Sequence, residues 1–222
     1  MYTQCTQNGG YQMNDRIHEL QIEIMKLKLE LADEIAERTP EQVEDWELTN
    51  LKGAPVKLSE LFGDQSELLV IHNMGRSCNY CSLWGDTMIG IAKHLQQRAS
   101  FVLCSNDPAE VIAEFRELRG WEYPCVSGNG SGFAKAMGYM SEDDSPEPGV
   151  SAFHMKDDGT IIRTAHASFG PGDDFCGVWP MLGLLKGGQS GWEPMHGKVE
   201  SRESKVEIVT CSCRRSVYGS RI

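Results

Sequence analysis

No stretch of this 222-residue chain stays apolar for anything near the ~20 residues that a membrane-spanning helix needs. Its opening, Met1 to Gly10, has no basic start and no apolar run after one, so no secretory leader is expected. Basic charge is short as well. Lys and Arg number 21 against 32 Asp and Glu, a net charge of -11, which argues against a general nucleic-acid binder with its basic patch for phosphates. There is no internal repeat and no second Cys-x-x-Cys. Neither a membrane nor a nucleic-acid partner is expected, and without a leader the default location is the cytoplasm. Thiols there stay mostly reduced, so the cysteines do not read as a disulfide framework.

Apolar mass and cysteine are what the chain does have. Hydrophobic residues make up 40%, enough to bury the core of one large α/β domain or two small ones. The eight cysteines are Cys5, Cys78, Cys81, Cys104, Cys125, Cys176, Cys211 and Cys213. Each is a candidate metal ligand, catalytic thiol or small buried hydrophobe.

After a polar tail over residues 1–14, an N-terminal helical arm is expected over 15–40. Ile17, Leu20, Ile24, Leu27 and Leu31 recur at spacings of three and four, with Ile22, Met25, Leu29, Ala32 and Ala36 beside them. Such a face is expected to pack on its own domain. A dimerising arm is the sharper alternative, although the pattern is short of the three or four heptads that mark a coiled coil. Trp46–Leu48 and Val56–Leu58 alternate around Lys52-Gly53-Ala54-Pro55 and predict a hairpin. Leu68–His72 is a buried strand, and a helix through about Gln97 follows the cysteine pair. Ser100–Cys104 is a second strand, and Asn106-Asp107-Pro108 supplies an N-cap and first-turn proline for a helix over 108–119. A short strand at Tyr123–Val126, a short helix at Phe133–Met137, strands at Val150–Met155 and Thr160–Thr164 around Asp158-Gly159, and a closing helix at Phe175–Leu185 complete the order. The fold class is α/β, a mixed sheet flanked by helices.

Cys78-Asn79-Tyr80-Cys81 lies between the buried strand and its helix. A thiol at a helix N-terminus meets unpaired backbone N–H groups and the positive end of the helix dipole. Both favour thiolate, the species that attacks disulfides and peroxides. Cys81, one turn on, can resolve a mixed disulfide, and Arg76 is placed to lower the Cys78 pKa further. Half of a zinc site is the competing reading, with His72, His154, His166, Cys211 or Cys213 as further ligands. Two structural cysteines are another. Trp84 either shields the pair or fills the core. Asp86 reads as a solvated helix residue, Cys104 and Cys125 as buried structural thiols, and Cys176 as a core thiol or a distant resolving cysteine.

Three segments carry a resemblance: Ser77-Cys78-x-x-Cys81-Ser82-x-Trp84, Gly120-Trp121-x-Tyr123-Pro124-x-Val126-Ser127 and Pro148-Gly149-Val150-Ser151-x-Phe153. Over 46–185 the chain resembles the thioredoxin superfamily. Its order of elements is closest to the peroxiredoxin (alkyl hydroperoxide reductase/thiol-specific antioxidant) branch, and closer still to a bacterial family of predicted dithiol-disulfide oxidoreductases. The resemblance implies a thioredoxin-like domain over 41–188, followed by a C-terminal tail over 189–222. It also implies a redox-active Cys-x-x-Cys, with Cys78 as nucleophile and Cys81 as resolving thiol. The family's cis-proline maps onto Pro148, and its buried acid before the nucleophile onto His72, a proton acceptor for Cys81 or a structural histidine. The family's tryptophan before the nucleophile is Ser77 here. Gly75 and Val150 stand where peroxiredoxins carry a threonine or serine and an arginine, which weakens the expectation of peroxidase or antioxidant activity. The function implied is thiol-disulfide oxidoreduction, with a thiol peroxidase, a zinc-binding module or a non-catalytic thioredoxin-like module as alternatives. No cofactor and no metal is expected. Expected partners are a protein or small-molecule disulfide or thiol substrate, an external thiol reductant and, for the arm, a second copy in a homodimer.

Overall fold

A computed structural model describes residues 15–195. The expected tail over 1–14, and residues 196–222 of the expected tail over 189–222, with Cys5, Cys211 and Cys213, lie outside the described residues.

The apolar run after Glu67 becomes the central strand of a sheet. In chain order the elements are α1 (Asp15–Ala36), β1 (Glu41–Val43), β2 (Glu47–Asn50), β3 (Pro55–Lys57), a 3-10 turn (Leu58–Phe62), β4 (Glu67–Asn73), α2 (Asn79–Leu95), β5 (Ser100–Ser105), α3 (Ala109–Arg119), β6 (Cys125–Ser127), α4 (Phe133–Ala136), β7 (Gly149–Met155), β8 (Ile161–Ser168) and α5 (Val178–Gly183). Eight strands form one mixed sheet in the order β1-β8-β7-β4-β5-β6-β2-β3. β4 runs parallel to β5 and antiparallel to β7, and β8 returns antiparallel to β7. That βαβ unit joined to a hairpin, in the order β8-β7-β4-β5, is a thioredoxin-like fold.

The handedness of the crossovers places the helices. β4-α2-β5 and β5-α3-β6 step the same way across the sheet, so right-handed connections put α2 and α3 on one face. Ile71 and Phe101 pack there with Trp84 and Met88 of α2, Ile112 of α3, and Trp179 of α5. The other face holds Leu68 and Val70 against Leu58 and Phe62 of the 3-10 turn and Phe133 of α4. Successive β4 side chains thus alternate between two cores, the period-two rule of a strand buried on both sides.

The N-terminal elements depart from expectation. Every side chain of α1 from Arg16 on is exposed, so this helix does not pack its apolar face on the domain. Among the described residues, an ion pair between Lys28 Nζ and Asp174 Oδ1, at 2.6 Å, links it to the domain. Strand β1 has no apolar alternation to announce it. It pairs with β8 in a register that sets Glu41 opposite Arg163. The buried Arg163 guanidinium donates to Glu41 Oε2 through Nη2 at 2.6 Å and Nε at 3.1 Å, and to the Met137 carbonyl at 2.7 Å. The Glu41–Arg163 ion pair and the packing of Val43 against the core hold that edge.

Candidate active site

Strands β4 and β5 end, and β7 begins, at one end of the sheet, where α2 also starts. Ligands in open α/β sheets bind outside the carboxyl ends of the strands. Cys78 is the N-cap of α2 and has extended backbone. Its Sγ accepts the Cys81 amide at 3.1 Å, the role a serine or aspartate oxygen plays at other helix starts. Its own amide donates to the Gly75 carbonyl. Both cysteines are free thiols, Cys78 half-buried and Cys81 buried.

This geometry separates the two thiols. A hydrogen bond shared with the Cys81 thiol, together with the Cys81 and Tyr80 amides, draws the Cys78 pKa down to about 6 against the cost of burial. The same hydrogen bond, burial, and the negative charges of Cys78 and Asp107 push Cys81 far up. Met74 N donates to Cys81 Sγ at 3.4 Å. Near neutral pH the arrangement is therefore a thiolate at the surface, backed by a protonated thiol beneath it.

Two residues that the sequence did not place at the site hold the loop. Asn73 Oδ1 accepts the Gly75 amide at 2.9 Å, and its Nδ2 donates to the Cys81 carbonyl at 3.3 Å, which staples strand to helix. Asn-x-Gly at a strand end is an Asx-turn signature that could have revealed it. Asp107 is expected to cap α3, but Pro108 occupies that position and no side chain caps the helix. The Asp107 carboxylate instead accepts the Arg76 amide at 2.6 Å. Gly75, with φ of +124°, packs so tightly on that carboxylate that a β-carbon there would sit 2.8 Å from Oδ1. A threonine or serine therefore cannot occupy this position without moving Asp107. Nothing local marks Asp107, because its partner lies 31 residues earlier in the chain.

The remaining expected residues fall into two groups. Pro148 immediately precedes β7, at the end of the sheet where α2 starts. His72 pairs with Gly149, so the next step of the ladder sets Pro148 across from Asn73. Its peptide bond is trans, since no cis peptide bond occurs among the described residues. Ser77 is exposed beside Cys78. Trp84 is buried in the core, with Nε1 donating to Asp173 Oδ2 at 2.9 Å.

Arg76 and His72 are not brought to the thiols. The Arg76 guanidinium turns to Glu114 Oε2, 3.5 Å away, so the Cys78 pKa falls through the helix start and the Cys81 thiol. His72 points to the opposite core by strand alternation. There it stacks on Tyr139 at 3.8 Å and meets Ser151 Oγ at 3.0 Å. Burial pushes its pKa down to about 3, so it is neutral and structural. Asp86 is partly exposed but is not simply solvated. Its carboxylate accepts from the Arg119 guanidinium and from Trp121 Nε1.

Cys104 and Cys125 are buried in opposite cores, and burial raises both pKa values to about 12. Cys176 is buried against α2 and α5, and burial raises its pKa too. Among the described residues, no three His, Cys, Asp or Glu side chains cluster to hold a metal ion. No helix among them is long and apolar enough to cross a membrane.

The family model for bacterial protein of unknown function (DUF899) matches residues 22–203. Among curated proteins, none is similar enough to count as a relative. Among solved structures, peroxidoxin BcpB from Mycobacterium tuberculosis is 25% identical with a TM-score of 0.48, over 59% of this chain and 85% of that one. Reduced Prx3 from Vibrio vulnificus, in complex with hydrogen peroxide, is 16% identical with a TM-score of 0.49, over 60% of this chain and 88% of that one. A secreted Mycobacterium tuberculosis disulfide oxidoreductase homologous to E. coli DsbE is 13% identical with a TM-score of 0.41, over 57% of this chain and 84% of that one.

Proposed function

This chain belongs to the DUF899 family of bacterial proteins, and we propose that it is a thiol-disulfide oxidoreductase whose redox centre is the Cys78–Cys81 dithiol. One observation carries the reading: the half-buried Cys78 sulfur caps α2 and accepts the Cys81 amide at 3.1 Å, with the Cys81 thiol directly behind it. A thiolate is stabilised where it can be reached, and a second thiol sits where it can resolve.

The Cys78 thiolate attacks one sulfur of a substrate disulfide. A bond forms between Cys78 Sγ and that sulfur, the substrate S–S bond breaks, and the other half leaves as a thiolate. Cys81 then gives its proton to that thiolate or to water and attacks Cys78 Sγ. The Cys78–Cys81 disulfide forms and the second substrate thiol departs. Two electrons have passed to the substrate, and an external thiol reductant returns them. The lowered Cys78 pKa favours the first step, because thiolate is present at neutral pH. Formation of the mixed disulfide neutralises Cys78 and so removes the negative charge that holds the Cys81 proton, which favours the second. The proposed setting is the cytoplasm, where reductant is abundant.

Peroxide is the competing oxidant. It would convert the Cys78 thiolate to a sulfenic acid and release an alcohol or water, and Cys81 would condense with that acid to give the same disulfide and water. Gly75, packed on the Asp107 carboxylate, supports the disulfide reading, because it carries no hydroxyl at the position where peroxiredoxins have a threonine or serine.

Reduction of insulin by the reduced protein tests both readings. Turnover is expected in the wild type. Cys78→Ser is expected to abolish it, and Cys81→Ser to stop at a mixed disulfide on Cys78. Equal rates in wild type and Cys78→Ser would end the proposal. Peroxide consumption without insulin reduction would replace it with the peroxidase reading.

A further inference from the structure

Nine of the eighteen large apolar side chains that the described residues expose lie on α1: Ile17, Leu20, Ile22, Ile24, Met25, Leu27, Leu29, Leu31 and Ile35. Exposed apolar residues scattered singly are normal, but rows that run the length of one helix mark a contact surface, and the candidate seam is the row of Ile17, Leu20, Ile24, Leu27 and Leu31. The helix is 22 residues long, about 33 Å at 1.5 Å per residue. Its exposed apolar row therefore runs over most of its length.

We propose that α1 pairs with α1 of a second copy of this chain, as a short parallel two-stranded coil. The occupant is read from the residues of the helix itself. Ile17, Leu20, Ile24, Leu27 and Leu31 alternate steps of three and four and take heptad positions a, d, a, d and a. The first two a positions are β-branched isoleucine and both d positions are leucine, the choice that favours two parallel strands.

The flanking charges agree with that orientation. Glu23 stands at g before Ile24, and Lys28 at e after Leu27. In a parallel pair, g of one helix faces e of the next heptad on the other. Glu23 of each copy then meets Lys28 of its partner, and the contact occurs twice. An antiparallel pair faces g with g and e with e, and loses both contacts. Lys28 is available for the exchange, because its present pair with Asp174 joins two side chains that are each more than half exposed and contributes little. Glu19, Lys26 and Asp33, at c, and Glu30, at g, line one charged flank, while Ile22, Met25 and Leu29 form a second apolar row facing away from the seam.

Sedimentation equilibrium of the full reduced chain tests the proposal. The expected mass is twice 24.7 kDa, and a monomer across the accessible concentration range overturns it. Leu20→Glu with Leu27→Glu is expected to give the monomer. Both residues are exposed in the single chain, so an unchanged Cys78 titration shows that the domain still folds. A dimer that survives this pair of changes overturns the role of α1. Met25→Glu with Leu29→Glu, on the second row, is expected to leave the dimer intact, and dissociation there instead overturns the seam. Glu23→Lys is expected to weaken association several-fold and Glu23→Lys with Lys28→Glu to restore it. Failure of the swap to restore association overturns the parallel orientation.

Discussion

Cys78 and Cys81 are both cysteines of one helical turn, yet their protons are held very differently. Cys78 faces the helix start and Cys81 faces the core, so one is drawn down to about 6 and the other is pushed far up. The thiolate of Cys78 is the reactive form. Alkylation of Cys78 should therefore hold its rate from pH 8 down to about 7 and fall as pH drops through about 6. An unperturbed thiol would instead lose rate around ~8.5. Stopped-flow alkylation with peptide mapping reads the midpoint.

Asp107 gives a second expectation at this scale. Its carboxylate holds the Arg76 amide, and such a charge-assisted hydrogen bond contributes on the order of 1.5 kcal/mol. Asp107→Ala should lower stability by about that amount in urea unfolding. Asp107→Asn, which keeps an acceptor, should lose less. It also removes a charge that holds the Cys81 proton, so it should speed resolution of a preformed mixed disulfide. The two thiols were legible in the sequence because they are local, four residues at one junction. Asn73 left a faint local sign. Asp107 left none, because its role comes from a turn after the neighbouring strand. His72 shows where spacing alone could not decide: it suited either a proton acceptor or a structural histidine, and strand alternation turns it to the opposite core as the latter.

At the scale of elements, α2 is fixed to α3 and the segment after it by close fit and by one carboxylate. Gly85 lies against the Trp121 ring so tightly that a β-carbon would collide with it. Asp86 beside it binds Arg119 and the Trp121 indole. Glycine inside a helix costs about 1 kcal/mol against alanine, and here the contact with Trp121 requires it. Gly85→Ala should therefore destabilise, by about 1–3 kcal/mol as overpacking does, where a helix-propensity argument alone predicts a gain. Urea unfolding decides between the two signs.

The β1 edge makes a further prediction. The Arg163 guanidinium holds the Glu41 carboxyl below its ordinary range. A depressed carboxylate adds stability that is present above its unfolded pKa, near 4.5, and is lost as pH falls through the folded value. The wild type should therefore lose stability below about pH 4.5 by more than Glu41→Gln does, as measured by thermal unfolding across that range. The long elements were legible because period and turn chemistry announce them. Strand β1 was not, because Glu41-Gln42-Val43 has no alternation and depends on a partner 122 residues away.

Across the whole molecule, the sheet order gathers the chemistry. One end of the sheet collects the close of β4, the close of β5 and the opening of β7, and so unites Cys78, Asn73, Asp107 and the turn at Pro148 from across the chain. The order of strands and helices, read along the sequence, was enough to reach this architecture. What it left open was which helical face is covered. Periodicity shows that α1 has an apolar face, but not whether the face meets its own domain, and in this fold it does not.

The claim on which the rest depends is that Cys78 and Cys81 exchange two electrons as a pair. The reduced protein, incubated with excess oxidised glutathione and quenched by alkylation, measures this directly by peptide mass mapping. The expected product has lost two hydrogen atoms and contains one disulfide, joining Cys78 to Cys81, while Cys104, Cys125 and Cys176 remain alkylatable only after unfolding. A product in which Cys78 stays free, or carries glutathione that Cys81 never displaces, would contradict it.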